Sequence, residues 1–203
     1  MKSLSEIETI SKRASRATGF SWGIAEEVGK NMRILESFGL SGIKSLNEYY
    51  KARSNKKFEN LNLINKENNS GQFEFCPIAL GISFLDQIKT FEKYVNIKFG
   101  KIAYPILILP FISRSSEIIG KKIHAKFDQH EFLLNNNVNI ASNLLHKDLP
   151  IITNILKINI LENKDNFLDQ DWKNLYKISE KTFVEETDSS KQVAAGAGLT
   201  DND

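Results

Sequence analysis

Residues 121–134 read "KKIHAKFDQHEFLL". Ile123, Ala125 and Phe127 alternate with Lys122, His124 and Lys126, the period-two pattern of a strand with one buried face. A turn at Asp128 to His130 returns the chain into "EFLL", so the segment predicts an antiparallel hairpin. Working outward, residues 102–112, "IAYPILILPFI", are apolar on both faces and are expected to form a buried strand; they span about half of the ~20 residues a membrane crossing needs. Residues 151–161, "IITNILKINIL", give a further strand candidate, and an amphipathic helix starts near Asp169 or Asp171, with Trp172, Leu175, Tyr176 and Ser179 at helical spacing.

Upstream of the hairpin the periodicity is helical. Residues 3–18 predict a helix, with capping-box spacings at Ser3/Glu6 and Ser5/Glu8, a face of Leu4, Ile7, Ala14 and Ala17, and a left-handed stop at Gly19. A second helix starts at an N-cap Ser21, carries Trp22, Ala25, Val28, Met32, Leu35 and Phe38 on one face, and stops at Gly39. The short joint makes the two an antiparallel pair or a sharp corner. A third helix covers residues 46–52. Residues 53–71 turn polar and read as a linker or long loop, with Leu61, Leu63 and Ile64 docking part of it. Pro77 suits the first position of another helix, running to about Val95. Helices first, strands later and one closing helix argue for an α+β fold rather than regular α/β alternation. The expectation is one domain over 1–203 with a helical subdomain at 1–52, a mostly antiparallel sheet in the second half, a C-terminal helix and an extended tail over 184–203.

Composition narrows the function classes. Hydrophobic residues make up 41% and charged residues 26% of the 203, a globular balance. Against 25 acidic residues stand 27 basic ones, net +2, and the lysines read as scattered, so no nucleic-acid footprint is expected. No apolar signal core and no membrane-length run are present, and the single cysteine, Cys76, fits a reducing compartment; a cytoplasmic location without membrane attachment is the simplest expectation. P-loop, dinucleotide-fingerprint, HExxH, nucleophile-elbow and CxxC patterns are absent. No cofactor and no metal site follow from the sequence, since Asp201 and Asp203 near the chain end would offer only two side-chain oxygen ligands.

The candidate site residues come from three places. Cys76 precedes Pro77 at a helix start, where backbone N–H groups and the helix dipole favour a thiolate, and it equally suits a small buried turn residue; His124, His130 and His146 lie at no diagnostic spacing from it. "GFSWGIAEEVGK", residues 19–30, thins the side chains around Trp22 and places Glu26 and Glu27 near a helix start, as a candidate general base or metal ligands, or as first-turn acids pairing with Arg13 or Arg16. Arg16, Trp22, Asp86 and Arg114 complete the internal ligand-binding candidates, with Asp86 also readable as solvated and Arg114 as a carboxylate partner following the buried strand. The segment "VAAGAGLTDND", 193–203, ends on a glycine-rich path and an acidic tip that contributes Asp201 and Asp203.

"LSEIETISKRASRATGFSWGIAEEVGK", "CPIALGISFLD", "YPILILPFIS" and "GAGLTDND" together resemble a bacterial protein family known only as a domain of unknown function, WG-x-AEE and GAGLTDND being the distinctive elements. Residues 53–71 and 135–169 carry little of the resemblance. Glu185 and Lys191 stand where the family pattern has a proline and an arginine. The resemblance implies one shared architecture for the helix pair, the Cys-Pro helix and the tail, and no activity, substrate or cofactor. Two functions are therefore expected in parallel. In one, a cytoplasmic small-metabolite binder or enzyme holds an anionic ligand where the Trp22 and Cys76 helix starts converge. In the other, a non-catalytic accessory protein docks its tail into a partner or a second subunit.

Overall fold

The structure is a computed structural model that describes residues 2–135, 137–143 and 149–183. Among the described residues, six α-helices and eight strands follow in the order expected of an α+β fold. Helix α1 (Leu4–Ala17) is capped by the Ser3 hydroxyl, which accepts from the Glu6 N–H at 3.1 Å, and ends at Gly19 with φ +97°. Helix α2 (Trp22–Ser37) has Ser21 as N-cap and is followed by Gly39 with φ +68°. The two run antiparallel: Glu8 reaches Arg33 at 3.2 Å, while Lys12 reaches Glu26 at 3.8 Å. Their close approach rests on Gly29, where a Cβ would stand 2.7 Å from the Glu8 carbonyl oxygen. Of the expected face of α1, Ile7 packs on the core and Ala14 is half-buried, while Leu4 and Ala17 are exposed; the fully buried positions are Ser11 and Ser15. Small hydroxyl side chains fit a close contact, and the Ser15 hydroxyl satisfies itself on the Ser11 carbonyl at 2.6 Å.

Helix α3 (Gly42–Arg53) is longer than the expected 46–52. The polar stretch after it is tied down at defined points. The Glu59 carboxylate accepts from the N–H groups of Gly71 (2.7 Å) and Phe73 (2.9 Å), and the Gln87 side chain bonds Ile64 N–H and the Asn62 carbonyl. Ile64 is buried and Leu61 packs on the core, while Leu63 stays exposed. Within the stretch, β1 (Glu67–Asn68) joins the sheet.

Helix α4 (Pro77–Phe91) has Cys76 as N-cap and ends four residues before the expected Val95, because β2 (Asn96–Phe99) begins there. Residues 102–112 depart from the expected buried strand. Only β3 (Ile102–Ala103) is extended; Tyr104 then takes a left-handed conformation, a 3-10 turn covers Pro105–Ile108, and α5 spans Leu109–Ile119. Pro105 and Pro110 lack the N–H a ladder needs and suit helix starts, so a run apolar on every side resolves as a buried helix rather than a strand. Arg114 accordingly sits on α5.

The expected hairpin is present as β4 (Ile123–Phe127) and β5 (His130–Leu134), turning through Asp128 with φ +52°. With β6 (Ile140–Ser142), β7 (Ile152–Thr153) and β8 (Leu156–Ile160), the strands form a six-stranded sheet in the order β1-β2-β8-β4-β5-β6 and a two-stranded β3-β7 pair. All pairings in both sheets are antiparallel except β1 with β2. One face of the large sheet is buried, through Ile97, Phe99, Ile123, Phe127, Phe132 and Ile158, and α5 packs on β4 and β5. The described residues divide into two compact units, one ending at Asn163 and the other beginning at Lys164. In the second, α6 (Asp169–Ser179) starts where expected, with the Asp171 carboxylate accepting from the Leu168 N–H at 3.3 Å and Phe167 stacked on Trp172. Among the described residues no helix is long and apolar enough to cross a membrane.

Candidate functional site

The starts of α2 and α4 meet on one cavity. It has a volume of about 550 Å³ and is lined by Phe20 and Ser21 before α2, Arg53 at the end of α3 with Lys56 and Lys57 after it, and Cys76 before α4. Its floor is aromatic. Tyr49 is fully buried and has Phe58 at 5.3 Å, Tyr50 at 5.6 Å and Tyr104 at 5.8 Å between ring centroids. The Tyr49 hydroxyl lies 2.9 Å from Cys76 Sγ, which also accepts from the Ala79 N–H at 3.3 Å and so caps α4. Burial, reinforced by the neighbouring Cys76, pushes the Tyr49 phenol well above its ordinary value and keeps its proton on. Burial raises the Tyr50 phenol as well, and its hydroxyl donates to Ser15 Oγ at 2.6 Å.

The walls are cationic. Arg53 donates to the Thr18 carbonyl and lies with its guanidinium carbon 4.3 Å from the Phe20 ring centroid. Those two contacts hold it between α1 and α3 in a fixed pose. Lys56 and Lys57 are exposed and have no ion-pair partner among the described residues. Among the described residues no carboxylate lines the cavity. Chemically the arrangement suits an anion with an apolar body: charge against the three cations, carbon surface against Phe20, Phe58 and Ile24.

The candidates named from sequence are distributed unevenly around this cavity. Cys76 lies in its floor. Trp22 is adjacent to the lining Ser21 but points outward, 58% exposed, with the Arg16 guanidinium carbon 5.5 Å from its ring centroid; Arg16 itself donates to the Phe20 carbonyl at 3.0 Å. Glu26 and Glu27 are not in the lining. Their partners also differ from the arginines expected across the corner. Glu26 is exposed beside Lys12, and Glu27 is held by Arg114 of α5 and by Lys30 at 3.0 Å. Burial pushes the Glu27 carboxyl up, but the hydrogen bonds from Arg114 and Lys30 outweigh it and leave it below the usual range. Beneath this pair Asn31 is buried, with Oδ1 3.4 Å from the Arg114 guanidinium. Asp86 is exposed on α4. His124 pairs with Glu131 at 3.5 Å and His130 lies against the Phe127 ring. His146, Asp201, Asp203 and the tail lie outside the described residues. Among the described residues no group of three or more His, Cys, Asp or Glu side chains could hold a metal ion.

Sequence reasoning missed Tyr49, Arg53, Lys56, Lys57 and Phe58. The signal was available: residues 51–57, "KARSNKK", carry four cations in seven positions directly after a Tyr-Tyr pair. Reading the lysines as scattered hid that local density.

A family model described as "Protein of unknown function (DUF3726)" matches residues 2–76. The chain is thus similar over its first three helices and the following stretch to an uncharacterised family, including residues 53–71, which the sequence resemblance had left largely unmatched. Of the cavity's lining residues, all but Ala79 fall inside the matched segment. No curated protein and no solved structure matches the chain.

Proposed function

We propose that the chain binds a small anionic metabolite in the cavity between the starts of α2 and α4. The observation that carries this reading is the lining itself: Arg53, Lys56 and Lys57 line a concave site that contains no carboxylate and two helix N-termini. Each of those features favours negative charge, and they act on the same volume. The aromatic floor favours a ligand with carbon surface over a bare inorganic ion. Cys76 and Tyr49 are the polar groups at the depth a ligand's far end would reach. The reading makes no catalytic demand on Glu26 or Glu27, whose partners lie elsewhere.

A thermal-shift and calorimetric survey of small carboxylates and phosphate esters, run on the full chain, tests it. At least one class should bind saturably, and Arg53→Gln with Lys57→Gln should weaken it by about tenfold or more, as expected when charge-assisted contacts are lost. Glu26→Gln should leave the affinity unchanged. Equal affinity in the wild type and the Arg53/Lys57 variant would refute the reading.

A further inference from the structure

The open face of the six-stranded sheet carries a row of like charges that the fold itself does not require. Glu67 pairs across strands with Lys98, Lys98 with Lys157, Lys157 with Lys126, and Lys126 with Glu131. Five adjacent strands therefore each contribute one side chain to a single line, with three lysines at its centre. Neighbouring strands are about 4.8 Å apart, and like charges in directly opposed positions are destabilising. Only Lys126 has a carboxylate partner, Glu131 at 2.5 Å. Lys98 and Lys157 are exposed and have no ion pair among the described residues. In the next row of the same face, Asn96 pairs with Asn159 and Asn159 with His124, which adds hydrogen-bonding groups beside the charge. A cavity of about 230 Å³ opens over this place, lined by Lys66, Glu67, Asn96, Lys98, Lys157 and Asn159 together with Ile97.

We propose that this row is a second anion site, separate from the cavity of the proposed function, and that it takes a compact, multiply charged oxyanion of the phosphate-ester or diphosphate kind. Glu131 pairs with Lys126 alone, and negative oxygens seated over Lys98 and Lys157 would compensate the two lysines it leaves unpaired. The row is closed by Glu67 at one end and Glu131 at the other, and along β2 and β8 the lysines give way to Asn96 and Asn159. Across the strands the lysines are bounded by a carboxylate on each side, and Lys66 adds a fourth cation at the cavity, which suits a compact, multiply charged anion. The exposed positions of the two rows include no Phe, Tyr or Trp on which a base could stack, which argues against single-stranded nucleic acid.

Inorganic pyrophosphate titrated calorimetrically into the full chain tests the proposal, with sodium chloride at matched ionic strength as control. The titration is run on the wild type, on Lys98→Gln/Lys157→Gln, and on Arg53→Gln/Lys57→Gln. Saturable binding should persist in the Arg53/Lys57 variant and weaken by about tenfold or more in the Lys98/Lys157 variant, since two charge-assisted contacts are removed. All four substituted positions are solvent-facing or half-buried, and circular dichroism confirms folding before titration. Without ligand at low salt, Lys157→Gln alone should raise the thermal midpoint, because it relieves repulsion on both sides. Absence of saturable binding at millimolar pyrophosphate overturns the proposal. So does equal affinity in the Lys98/Lys157 variant, or an RNA oligomer that binds this face more tightly than pyrophosphate. Loss of binding only in the Arg53/Lys57 variant would also overturn it while leaving the proposed function standing.

Discussion

Replacing Gly81 by alanine should destabilise the protein through one identifiable collision. A Cβ at that position would stand 2.2 Å from Phe111 Cδ2, 2.6 Å from Cγ and 2.7 Å from Cε2. Carbon atoms rest about 3.5–4.0 Å apart, so the ring or the α4–α5 spacing must give by more than about 1 Å. Phe111 is 1% exposed and its neighbours Leu109 and Ile112 are equally buried, which leaves the ring nowhere to go. Overpacking of this kind costs about 1–3 kcal/mol, and the size of the overlap places Gly81→Ala toward the upper end. Alanine returns about 1 kcal/mol through helix propensity, leaving a net loss of about 2 kcal/mol. For a chain of this length that lowers the thermal midpoint by about 4–8 °C. Urea unfolding followed by circular dichroism measures it, with Phe111→Leu as the companion variant. The double variant should be more stable than the sum of the singles predicts, by about 1 kcal/mol or more. A Gly81→Ala protein as stable as the wild type, or additive singles, would refute the packing account.

The Glu27–Arg114 contact joins α2 to α5, and a double-mutant cycle with Glu27→Gln and Arg114→Met should return a coupling of about 1–2 kcal/mol in urea unfolding at pH 7. Because the Glu27 carboxyl is lowered from its ordinary 4.5, its contribution is complete above that value and disappears as pH falls through the folded-state value. Glu59 follows the same sign: hydrogen bonds from the Phe73 and Gly71 N–H groups lower its carboxyl, so Glu59→Gln should flatten the acid limb of the stability–pH profile and speed amide exchange at Gly71 and Phe73. Cys76→Ala removes the α4 cap and should cost about 1 kcal/mol, while Cys76→Ser restores most of it, read from urea midpoints. Equal stability of the two would show that the Sγ contact with Ala79 contributes nothing.

Local signals were legible because they act over a few residues. Ser3 and Ser21 are caps, Gly19 and Gly39 take left-handed stops, Pro77 opens α4, and the alternation across residues 123–127 fixes which side chains enter the core. Periodicity failed at residues 102–112, where apolar residues on every side carry no phase; tertiary packing and two prolines decided for a helix. The site was legible in part. The Trp22 and Cys76 helix starts singled out in the sequence border the cavity, but its cations lie at and after the C-terminal end of α3, and only folding brings Arg53 and Cys76 to one cavity. Glu27 and Arg114 are 87 residues apart, and no spacing rule links them. The lysines of the sheet face lie on β2, β4 and β8, and strand order and register alone set them in line. Sequence by itself determined the elements that carry caps or a clear period, such as α1, α2, α4 and the β4–β5 hairpin, because those signals are short-range. Which surfaces then meet was decided by the mutual burial of their apolar faces, a property of the whole chain.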